Sequence, residues 1–103
     1  MTITITKKIT ISENHPCLAG HFPERPIVPG VVLLDWVRKL LTEHDSRIQI
    51  ATIAQVKFHS PLSPEQPFTI LLEKINAEEF RFECQTDTAK LASGKLGILI
   101  NND

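Results

Sequence analysis

The sequence predicts an α+β fold in which an antiparallel sheet curves around a single long helix. Three observations carry this. In the first eleven residues Ile3, Ile5, Ile9 and Ile11 share one parity and Thr2, Thr4, Thr6 and Thr10 the other, the period of a strand buried on one face. Val31 to His44 contains neither Gly nor Pro, and Leu33, Leu34, Trp36, Val37, Leu40 and Leu41 recur at helical spacing. From Ile48 onward the chain reads as strands and short turns, the order of an α+β domain rather than of alternating βαβ units.

Taken in order, the first strand carries one oddity, Lys7 on its apolar face. Ser12 to Gly30 holds Pro16, Pro23, Pro26, Pro29 and Gly20. Proline removes backbone donors and pushes the residue before it toward extended geometry, so this is a stiff loop rather than a helix. The helix comes next, and β-branched residues return from Ile48 to Phe58. Ser60-Pro61-Leu62-Ser63-Pro64 is a turn, followed by strands over Phe68–Ile75, Phe80–Thr86 and Leu91–Ile100. Asn76 to Glu79 and Thr86-Asp87-Thr88 supply the bends. Such a sheet has two edges that need protection, and edge pairing in a dimer is one way to provide it.

Composition narrows the function classes. With 103 residues and 42% hydrophobic content, the chain is expected to be one domain, 1–103, with one modest core. Eleven basic and 12 acidic residues are scattered along it, leaving no footprint for nucleic acid. The longest apolar run, Val31 to Leu34, is far short of a membrane span. The N-terminus lacks the order of a signal peptide, and the expected location is cytoplasmic. Cys17 and Cys84 lie far apart without metal-ligand spacing and are read as reduced thiols. His15, His44 and His59 show no ligand spacing either, so no metal site is expected.

Chemistry concentrates between Gly20 and Asp35. His21 is the side-chain type that titrates nearest neutrality, set here in a proline-stiffened loop. Pro29-Gly30 opens a helix whose first N–H groups and dipole favour developing negative charge, and Gly30 allows close approach to the backbone. Asp35 adds a carboxyl group one turn into the helix. A base, an oxyanion donor and an acid are the parts needed to remove a proton beside a carbonyl and eject a hydroxyl group. Each part also has a plainer reading: a surface histidine, an ordinary helix start, and a solvent-facing aspartate. Helical spacing places Asp35 among Arg38, Lys39, Thr42 and Glu43, with Lys39 as an ion-pair partner. The spacing of Pro23, Pro26 and Pro29 also suits a polyproline ligand, but the segment runs directly into the helix.

Gly20-His21-Phe22-Pro23, Arg25-Pro26, Pro29-Gly30 and the helical carboxylate Asp35 together resemble the signature of the hotdog-fold 3-hydroxyacyl-[acyl carrier protein] dehydratases. Val56-Lys57-Phe58 with Pro61 and Pro64 resembles that family's next strand and turn. The resemblance implies a hotdog fold and dimers with active sites between protomers. It also implies that His21 takes the C2 proton and that Asp35, from the other protomer, binds the C3 hydroxyl. The backbone N–H groups of Gly30 and Val31 would then bind the thioester carbonyl. The implied partners are acyl carrier protein bearing a phosphopantetheine-linked substrate and a second hotdog chain, identical or related, with no cofactor. A short member of this kind suits fatty acid or aryl polyene synthesis.

Three positions depart from the family's usual pattern: Glu24 stands in place of a glycine, Lys39 of a glutamine, and Trp36 of a small residue. A lysine beside Asp35 favours the ionised carboxyl. Either Lys39 points away, or the acid works chiefly by orienting the hydroxyl. The alternatives are a hotdog thioesterase, a dehydratase that also isomerises its product, and a non-catalytic subunit that binds acyl carrier protein.

Overall fold

The computed structural model describes residues 3–12 and 28–101. Among them the chain forms β1 (Thr4–Ile9), α1 (Gly30–His44), β2 (Ile48–Phe58), β3 (Phe68–Asn76), β4 (Glu79–Gln85) and β5 (Lys90–Ile100). The strands make one antiparallel sheet in the order β1-β3-β4-β5-β2, leaving β1 and β2 at its edges.

Alternation decides which face meets the helix. Phe68, Ile70 and Leu72 on β3, Phe80, Phe82 and Cys84 on β4, and Leu96 and Ile98 on β5 are all buried. They meet Leu33, Val37, Leu40 and Leu41 of α1, which shield that face. Each such Leu or Phe side chain taken out of water stabilises the fold by about 1.5–3 kcal/mol. Lys7, the oddity of the first strand, lies on the helix-facing side and ends against Glu43 of α1 at 3.1 Å.

Several boundaries differ from expectation. The helix starts at Gly30, because Pro29 in extended geometry still accepts a hydrogen bond from the Val32 N–H at 3.0 Å. β1 ends at Ile9 although Ile11 is buried, because the Ile11 carbonyl accepts from the Glu65 N–H at 2.8 Å instead of continuing the ladder with β3. Trp36, expected in the buried stripe, is only half-buried, whereas Leu41 is fully enclosed.

β2 is covered least. Ile53 and Phe58 pair with the buried Leu96 and Ala92 and so lie on the helix side of the sheet, yet they are 49% and 56% exposed. Val31, in the first turn of α1, is 71% exposed. α1 meets this edge through Gly30 and the Phe58 ring, but its buried side chains lie over the other strands and leave these three exposed. The register of β2 also breaks between Ala54 and Lys57, where Gln55 has φ 55°.

Candidate active site

The start of α1 is held in place by the turn after β2. The Val28 N–H donates to the Leu62 carbonyl at 2.9 Å, and both side chains are buried. Pro29 has no N–H to give and presets the backbone for helix entry. Behind it, the Gly30 and Val31 amides are in the first turn, where an α-helix offers no acceptor, and the helix dipole adds positive potential there.

These amides border an open, mainly apolar cleft of about 410 Å³ lined by Val28, Gly30, Val31, Phe58, His59 and Leu62, among others. Gly30 is required for that arrangement: a Cβ on it would lie 2.5 Å from Cε1 of Phe58. The Phe58 ring thus rests on the helix's first Cα. Local sequence pattern points to Gly30 and Val31 but not to Phe58 as a wall of the site. The available signal was the Val56-Lys57-Phe58 strand running into Pro61. His59, which has no metal-ligand spacing in the sequence, sits on the rim with Nε2 3.0 Å from Oγ of Ser93.

Asp35 is not among the cleft-lining residues. It lies on the outward face of α1, 47% exposed, as helical spacing indicated. Arg38 donates to Oδ1 from Nε at 3.1 Å and from Nη2 at 2.9 Å, and Lys39 Nζ stands 3.3 Å from Oδ2. The Arg38 hydrogen bonds, with Lys39 acting in the same direction, hold the carboxyl below its ordinary range against the opposing effect of desolvation. Lys39 therefore does not point away.

One protomer brings Gly30 and Val31 together at a cleft and leaves Asp35 apart from it. His21, Glu24 and Cys17 lie outside the described residues. Among the described residues no group of three potential metal ligands occurs, and no helix is long and apolar enough to cross a membrane.

The sequence model of the ApeI-like family, described as ApeI dehydratase, matches residues 2–95. The 3-hydroxyacyl-[acyl-carrier-protein] dehydratase FabZ of Brucella abortus is 30% identical, over 98% of this chain and 71% of its own length. Among solved structures, the dehydratase heterocomplex ApeI:P from Xenorhabdus doucetiae superposes with a TM-score of 0.83 at 23% identity, covering 92% of this chain and 86% of that one. An acyl-CoA hydrolase mutant from Staphylococcus aureus superposes at 0.75 with 13% identity, covering 97% and 65%. At those identities the structural likeness establishes the fold, an α+β hotdog.

Proposed function

The chain belongs to the ApeI-like family of dehydratases, and from that membership we propose that it removes water from (3R)-3-hydroxyacyl thioesters on acyl carrier protein, yielding trans-2-enoyl thioesters. The observation that carries this reading is that Gly30 and Val31, whose first-turn amides have no acceptor within the helix, line an apolar cleft. When a base removes the C2 proton, negative charge moves onto the thioester oxygen, where fixed N–H donors stabilise it best. His21 is the base. Asp35 binds the C3 hydroxyl as the C3–O bond breaks.

Because Asp35 lies outside its own cleft, it serves the site of a second protomer. The uncovered apolar side chains Val31, Ile53 and Phe58 and the unpaired edge of β2 support a dimer joined there. A related hotdog chain is the second reading for the partner, since the similar ApeI:P assembly is a heterocomplex. The enzyme works without cofactor, in the cytoplasm, in fatty acid or aryl polyene synthesis.

The test is incubation with carrier-linked 3-hydroxyacyl thioesters of varied chain length, following enoyl absorbance and free thiol together. Enoyl product is expected, and it should disappear in His21→Ala and in Asp35→Ala. Thiol release without enoyl product would replace dehydration by hydrolysis, and neither product would favour a non-catalytic subunit.

A further inference from the structure

Asp35 is clamped. Arg38 engages Oδ1 at 2.9 Å and Lys39 stands 3.3 Å from Oδ2. Lys39 is itself held, because its Nζ lies 4.7 Å from the centroid of the Trp36 ring, within range of a cation–π contact. Lys39 and Trp36 are also two of the positions where this chain departs from the pattern it otherwise resembles. The unusual lysine and the unusual ring act on each other and, through the lysine, on the carboxylate.

Resting on the reading of Asp35 as the hydroxyl-binding group, we propose that Lys39 is a positioning residue that keeps Asp35 a carboxylate inside the assembled site. Asp35 then accepts a hydrogen bond from the C3 hydroxyl and orients it, rather than protonating it. Covering Asp35 by a second protomer desolvates it and favours the neutral acid, and two adjacent cations oppose that. Among the described residues Arg38 and Lys39 are the charged groups paired with Asp35, and no side chain of β1 to β5 forms an ion pair with it. His59, on the cleft rim, is a further titratable group of the proposed site, and His21 acts there as the base.

The proton balance closes through one base. His21 takes the C2 proton, and the electron pair of that bond, first delocalised onto the thioester oxygen, then forms the C2–C3 double bond. The C3–O bond breaks with its electrons on oxygen, and that oxygen takes the proton back from the His21 imidazolium. Water leaves with its original hydrogen directed at Asp35, and His21 ends neutral.

The experiment is carboxyl ¹³C titration of Asp35 in the assembled protein, with pH profiles of kcat for wild type, Lys39→Gln and Lys39→Arg. Wild-type Asp35 should titrate below the ordinary aspartate range, and kcat should stay level between about pH 7 and 9, since no neutral acid is needed. Lys39→Gln should raise the Asp35 midpoint and lower kcat several-fold at unchanged thermal stability. Lys39→Arg should restore both. An Asp35 titration that does not move in Lys39→Gln overturns the proposal, as does a wild-type kcat that declines as pH rises through neutrality. A fully active Asp35→Ala instead removes Asp35 from the site altogether. An inactive Asp35→Ala with an unmoved Lys39→Gln titration rejects only the role of Lys39.

Discussion

Gly30 sits where two demands meet. It lines the cleft at the start of α1, and its bare Cα receives the Phe58 ring at a distance that excludes a methyl group. Phe58 is 56% exposed, so its ring can swing aside. Alanine also stabilises a helix relative to glycine by up to about 1 kcal/mol. Gly30→Ala should therefore fold with a thermal midpoint close to wild type while turnover falls at least about tenfold, as expected when a donor to the developing oxyanion is obstructed. Parallel melting curves and enoyl assays check this. Gly30 was legible in the sequence because glycine after proline at a helix start is a local pattern. Phe58 was not, because its contact with Gly30 spans 28 positions and depends on how β2 approaches α1.

At the scale of elements, the link from α1 to β2 shows how a short connection is fixed by charge. Asp45 caps the helix end through its N–H to the Leu41 carbonyl at 3.0 Å, and its carboxylate accepts from the Arg47 backbone and guanidinium. The Arg47 side chain, followed by its backbone N–H, lowers the Asp45 carboxyl from 3.8 to about 2. The folded-state value lies below the unfolded one, so this carboxylate stabilises the fold above about pH 4, and the contribution disappears as pH falls toward 2. Asp45→Asn should accordingly melt earlier than wild type at neutral pH, with the gap closing between those limits in pH-dependent thermal melts. The elements were readable from local periodicity to within a residue or two at most ends. β1 is the exception, because the Ile11 carbonyl bonds to Glu65, a partner that periodicity does not reveal.

At the scale of the molecule, the exposed edge of β2 and its apolar neighbours account for what a lone protomer leaves undone. Ile53 is half-exposed on the helix-facing side of the sheet, so a charge there is tolerable in a monomer but not against a second chain. Ile53→Lys should retain a folded circular dichroism spectrum while light scattering reports a monomer and activity is lost. A variant that stays dimeric and active would remove β2 from the proposed interface. Mixing His21→Ala with Asp35→Ala should return activity through hybrid dimers carrying one intact site, and no recovery despite subunit exchange would count against a shared site.

By itself the sequence determined the α+β order, the helix, the strands and the presence of Gly30 and Asp35 within one short motif, because these rest on periodicity and on neighbours a few positions apart. The hotdog fold was legible through the same motif. Only the tertiary structure decided that Phe58 walls the cleft and that Ile53 and Phe58 stay exposed on the helix side of β2. It also decided that Lys39, rather than pointing away, joins Arg38 on Asp35 while resting on Trp36. Those facts depend on rotamers and on the approach of distant segments, and periodicity names which face a residue occupies without saying what stands opposite it.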